Sequence, residues 1–268
     1  MGLRTTSAIV SRTMRMSNTS RLATLITRRY GLVKVMARGA RRPSSRYGAA
    51  LEPVTHIECT YYEKENRDIQ TLSSADIIEP WFTLRDDIAL YSVASCMVEI
   101  AETHTAPGDP AADLFDLLIS SLGELAAGAR SDADKYLWCY MLRFLAVAGY
   151  RPVIDRCVKC GSAPKGRTGF ISFGDGGVLC SCSNPDERYG FRISLGALRV
   201  MNDLQNAGPG GIHRLKLPPV QRTEVEEATL RFLSYHSGSS RRPRSLTFLR
   251  KMGGLEKTGK IERKNNSK

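Results

Sequence analysis

The first fifty residues contain no aspartate and no glutamate, although eleven arginines and lysines fall among them. No apolar run in the chain approaches the ~18 residues that a bilayer-spanning helix needs. Histidine is scarce: His56, His104, His213 and His236 stand apart in sequence, and each reads as a surface or satisfied core residue. No G-x-S-x-G nucleophile elbow is present. The paired acids Asp86-Asp87, and Asp113 with Asp116, fall near helix starts, where carboxylates favour the helix dipole. These absences argue against catalysis and against a membrane protein.

What is present is charge with a strong spatial bias. Between Leu51 and Tyr235 there are 18 basic and 25 acidic residues, a net −7, whereas His236–Lys268 holds ten basic and two acidic. A mildly acidic body therefore sits between two basic ends, a field that attracts a polyanion. An Arg- and Ser-rich N-terminus also resembles a transit peptide, and Met1-Gly2 with Thr6 fits a loose myristoylation pattern. The N-terminal segment alternates like a strand and runs into patterned sequence without a linker, so it is read as part of the fold. No secretory signal is seen, which makes the cytoplasm the expected location.

Short β-branched runs at Ala8–Thr13, Leu22–Thr27, Leu32–Ala37, His56–Glu63 and Asp68–Leu72 predict five strands, with turns at 17–19, 30–31 and 43–45. A small five-stranded barrel that binds nucleic acid is the OB-fold. Beyond Pro80 the period becomes helical. Helices are predicted over Trp81–His104, with Ser73–Asp76 suited to start it, then over Asp113–Leu125 and Lys135–Ala148. Gly149 ends the third. Two more are predicted over Ser194–Gln205, capped by Ser194, and Gln221–His236. The fold class is α+β: an OB-fold barrel over 1–79, then a mostly helical domain over 80–250 carrying a cysteine loop at 157–182. A basic tail over 251–268 reads as disordered.

Cys59, Cys96 and Cys139 are scattered and read as small buried residues. Cys157, Cys160, Cys180 and Cys182 cluster as C-x2-C, then 19 residues, then C-x-C. Two close pairs bridged by a loop of this length can supply the tetrahedron of soft ligands that zinc takes. Four protein ligands would fill the coordination sphere, so the metal would be structural. Gly161 and Gly176-Gly177 suit the turns, and Phe170 and Phe173 could cover the ion. Gly161–Thr168 imitates a phosphate-binding loop, but Arg167 stands in the lysine position and a proline interrupts it.

On the barrel, Lys34, Arg38, Arg41, Arg42 and Arg46 lie within thirteen residues, with Arg21, Arg28 and Arg29 on the preceding strand and its turn. Phosphates need fixed positive charge more than special spacing. Tyr30 and Tyr47 are the only aromatics before Tyr61, so binding should be mainly electrostatic and poor in sequence preference.

Tyr30–Arg42 resembles the signature strand and loop of the RecO family of recombination mediators. Leu51-Glu-Pro53, Leu72–Asp76, Ala148–Pro152 leading into Cys157-x-x-Cys160-Gly161, Gly176–Cys180, Tyr235-His236 and Arg242–Leu249 are similar to later parts of that family, in the same order. The departure is Cys180-Ser-Cys182, where zinc-binding members have two residues between the cysteines. The resemblance implies a non-enzymatic DNA repair and recombination mediator. It would bind single- and double-stranded DNA through the barrel cations, anneal complementary strands, and be associated with the nucleoid. It would also help RecR load recombinase onto coated strands and dock the acidic C-terminal tail of single-strand-binding protein, with RecF as an open further partner. The alternative is an RNA-binding protein of OB and zinc-loop type, as among translation or ribosome factors.

Overall fold

Alternation of inward apolar and outward polar residues closes the N-terminal segment into a barrel. The computed structural model describes residues 2–208, 210–236 and 243–251. Five strands, β1 (Gly2–Arg15), β2 (Arg21–Thr27), β3 (Gly31–Ala37), β4 (His56–Glu63) and β5 (Ile69–Glu79), join in the closed order β1-β2-β3-β5-β4. β1 serves two neighbours: Gly2–Ile9 pairs with β4 and Ala8–Arg15 with β2, with a bulge between Val10 and Arg12. A parallel β3–β5 pairing completes the ring. This is the OB-like topology expected. Small inward residues, Ala8, Ala23 and Ala37, leave room for Tyr61, Leu72 and Leu25 in the interior. Tyr47 and Leu51, around a 3-10 turn at Gly48–Leu51, plug one end, and the Tyr47 hydroxyl donates to Leu72 O at 3.0 Å.

Two expectations are corrected here. Ser73–Asp76 does not start a helix but lies within β5, where Ala75 faces inward opposite Cys59. Pairing with β4 overrides the local preference of serine for caps. The single helix expected over Trp81–His104 is two: α1 (Phe82–Arg85) and α2 (Ile88–Thr103). Asp87 separates them, its carboxylate accepting the N–H groups of Ala89 at 2.8 Å and Leu90 at 3.1 Å, which caps a new helix.

α3 (Ala112–Ala127) and α4 (Ala133–Val147) follow. α4 is apolar on nearly every side and fills the centre of the helical part, as a helix hydrophobic all round must. α5 (Leu195–Asn206) starts at Ser194, whose hydroxyl accepts the Ala197 N–H. α6 (Pro219–His236) and α7 (Arg244–Lys251) close the bundle, α7 lying against α2. Between α4 and α5 the chain does not form a plain loop. It builds a four-stranded sheet, β6 (Val153–Cys157), β7 (Thr168–Ser172), β8 (Gly177–Leu179) and β9 (Gly190–Ser194), in the order β6-β8-β7-β9. Strands of three to five residues broken by glycine and cysteine carry too little alternation to be legible. The basic tail beyond Lys251 lies outside the described residues.

Barrel and helices share one apolar core. Ile9, Ile26 and Val54 of the barrel pack into the cluster that holds α2, α3 and α4. Gly31, at φ +63°, brings the β2–β3 turn against the backbone of Ala106 and Asp109, an approach that any Cβ would block.

Candidate nucleic-acid interface and cysteine cluster

Period-two alternation sets the first cation: Val33 and Val35 point into the barrel, so Lys34 points out and is exposed. Arg38, Arg41, Arg42 and Arg46 occupy the loop that leaves β3. The loop is fixed to the β1–β2 turn, because the Arg41 backbone N–H donates to Thr19 O and its Nη1 donates to Ser17 O at 3.0 Å. Arg42 N–H donates to Gly39 O. The Arg46 guanidinium lies over the Tyr47 ring, 5.2 Å from its centroid, and donates to the phenol oxygen. None of these five makes an ion pair among the described residues. Glu52 binds Arg21, Glu63 binds Arg4 and Glu102 binds Arg12, each at 2.8 Å. A shallow cleft of about 510 Å³ between turn and loop is lined by Met16, Ser17, Thr19, Met36, Arg38 and Arg42, among others, and by no carboxylate.

Not all the expected cations are gathered here. Arg21 faces this end, in register with Ala37, but is paired with Glu52. β2 rises about 3.4 Å per residue over seven residues, which puts Arg28 and Arg29 at the opposite end of the barrel. Arg28 is committed there, its fork meeting both oxygens of Asp116 at 2.8 Å. The Arg28 hydrogen bonds hold the Asp116 carboxyl below its ordinary value. Arg29 is exposed without an ion pair among the described residues. Sequence reasoning missed Arg15, which is exposed, has no ion pair among the described residues, and pairs across the strands with Arg21 at the loop end. Only the β1–β2 register reveals it.

The four clustered cysteines come together. Cys157 ends β6, Cys160 lies in the turn that Gly161, at φ +74°, closes by donating its N–H to Cys157 O, and Cys180 and Cys182 leave β8. Their sulfurs all lie within 4.8 Å of one another, with Cys157–Cys182 at 3.6 Å and Cys160–Cys180 at 3.5 Å. A tetrahedron with metal–sulfur bonds of ~2.3 Å has sulfur–sulfur edges of about 3.8 Å, so the cluster can hold a metal ion. The C-x-C spacing does not keep Cys182 away. Burial opposes ionisation of Cys157, but the N–H groups of Cys160, Cys180 and Lys159 outweigh it and bring the thiol to about 6. Phe170 packs on Cys157 with Leu179 as expected, whereas Phe173 belongs to the main core beside Phe232.

Three histidines have structural surroundings. His56 bonds Ser7 Oγ at 2.7 Å and stacks on Trp81, His104 Nδ1 bonds Ile100 O, and His236 stacks on Tyr150. Cys59, Cys96 and Cys139 are buried. Among the described residues no helix is long and apolar enough to cross a membrane.

Comparison with known proteins covers nearly the whole chain. Residues 1–81 match the family model described as recombination protein O N terminal, and residues 85–246 match recombination protein O C terminal. The DNA repair protein RecO of Salinibacter ruber is 31% identical over 254 residues, covering 94% of this chain and 95% of its own. That of an Anaeromyxobacter species is 32% identical over 249 residues, 92% and 96% of the two chains. That of Frankia casuarinae is 37% identical over 198 residues, 73% and 79%.

Proposed function

This chain belongs to the RecO family, and on that premise we propose that it is a recombination mediator acting by charge neutralisation on the barrel, without bond chemistry. Its homologues support a role in DNA repair and recombination. Lys34, Arg38, Arg41, Arg42 and Arg46 take the phosphates of single- or double-stranded DNA, with Arg15 and Arg21 at the edge. Arg29 extends the surface only at the far end, and Arg28 serves chiefly to tie the barrel to α3. Holding two strands against a cationic surface lowers their mutual repulsion and lets complementary bases meet. That is strand annealing, and in the cell it would place the protein at the nucleoid. RecR, the acidic tail of single-strand-binding protein and, as an open case, RecF are the partners that this reading assigns.

Zinc is the metal that the cysteine tetrad suits: soft thiolates, a closed set of four, and edges near those of a tetrahedral site. When bound, it would cross-link β6 to the segment after β8 and would supply no catalysis. The observation that carries the proposal is the set of five cations, none in an ion pair among the described residues, on the outer side of β3 and in the loop that leaves it at one end of a closed barrel. Its test is annealing of complementary oligonucleotides, bare and coated. A marked preference for RNA over DNA of equal sequence would instead favour an RNA-binding protein.

A further inference from the structure

A row of outward side chains crosses the barrel beside these cations, and phosphate binding gives it no role. Register sets Met14 of β1 opposite Leu22 of β2, and Leu22 opposite Met36 of β3. Met36 in turn stands opposite Thr71 of β5, and Thr71 opposite Tyr62 of β4. Neighbouring strands lie ~4.8 Å apart, so Met14, Met36 and Tyr62 follow one another at about 10 Å across the sheet. Met14 is 58% exposed and Tyr62 41%, while Leu22 and Met36 are half-buried. Single apolar residues on a surface need no explanation, but here they stand in register as a belt.

The charge around the belt narrows what it fits. Lys34 flanks Met36 on the same face of β3 at two-residue spacing, about 6.6 Å away, and Arg38 stands in the turn just beyond the end of β3. Arg38 and Arg42 share the carboxylate-free cleft with Met36. An apolar strip between cationic edges suits a polyanion that exposes apolar faces, which describes an unpaired nucleic-acid strand. A duplex hides its base faces and presents mainly phosphate. The two aromatics of the acid-free segment are placed elsewhere: Tyr47 is buried, and Tyr30 lies beneath Arg4 and against Tyr61.

We infer that Met14, Met36 and Tyr62 form a base-contact belt, which gives the barrel an affinity for unpaired strands beyond its affinity for duplex. The inference rests on the barrel being the nucleic-acid site. Methionine sulfur makes favourable contacts with aromatic rings, and tyrosine offers a stacking face that tolerates any base. Bases on the belt would place their phosphates toward Lys34 on one side and Arg38 and Arg42 on the other.

The test compares the wild-type protein with a combined Met14→Gln, Met36→Gln, Tyr62→Ser variant, on oligothymidylate and on a blunt duplex of equal length. Affinity for the single strand should fall roughly tenfold or more, with duplex affinity and the salt dependence of binding unchanged. No loss on the single strand, or an equal loss on both, overturns the belt. As a readout independent of how the variant folds, wild-type protein is also photo-crosslinked to an oligonucleotide carrying 5-iododeoxyuridine. Crosslinks should map to Tyr62 or the two methionines, and their absence from all three overturns the belt as well. If Arg38→Gln with Arg42→Gln weakens neither ligand, the barrel reading itself fails. If those arginines matter and the belt does not, only the belt fails.

Discussion

Replacing Arg38 and Arg42 by glutamine removes two of the five cations of β3 and its following loop that have no ion pair among the described residues. If each of the five neutralises one phosphate of a single strand, the log–log dependence of affinity on salt has a slope near −0.7 per phosphate, about −3.5 in total. Losing two brings the slope to about −2.1. Over a fourfold rise in salt, wild-type affinity should then fall about 130-fold and that of the variant only about 20-fold. Fluorescence anisotropy of a labelled oligonucleotide, titrated at several salt concentrations, reads both slopes. Arg28→Gln is the control, because Arg28 is held by Asp116 at the other end of the barrel, and it should leave the slope as it is. An unchanged slope in the double variant, or an equal change in the control, would refute the reasoning.

Gly31→Ala would drive a methyl into the carbonyls of Ala106 and Asp109 and hold alanine at φ +63°. It should lower stability by more than ~1 kcal/mol, read as a urea midpoint, and an unmoved midpoint would show that the turn does not pack as described. Elemental analysis should find one zinc per chain, and Cys182→Ser or a strong chelator should lower both metal content and melting temperature. A variant that keeps its metal unaltered would exclude Cys182 from the ligand set. Burial lowers the pKa of His56 from its ordinary 6.5, so the unfolded chain takes up its proton first. The stability from the neutral ring is therefore present above 6.5 and declines as pH falls below it. His56→Gln should flatten the melting temperature over that range, and an equal slope in both proteins would assign the loss to another group.

Much of this was legible in the sequence because the patterns were long or the chemistry distinctive. The five barrel strands followed from β-branched alternation and the helices from their period. Buried Cys59, Cys96 and Cys139 followed from their isolation, and the cysteine tetrad from its spacing. The sheet of β6 to β9 was not legible, since its strands are too short to show a period. The start at Ser73–Asp76 misled because serine and aspartate favour caps locally, whereas pairing with β4 decides. The grouping of Arg28 and Arg29 with the loop cations failed for a geometric reason: adjacency in sequence across a seven-residue strand means opposite ends in space. Arg15 and the methionine row became visible only through register, which no composition encodes.

The most direct test of the barrel as an annealing surface measures the joining of two complementary labelled oligonucleotides, bare and then coated with single-strand-binding protein, at two salt concentrations without nucleotide. The account predicts salt-sensitive acceleration that survives the coat and is reduced by Arg38→Glu with Arg41→Glu. Binding without acceleration would contradict annealing, and no binding near physiological salt would contradict the barrel as a nucleic-acid surface altogether.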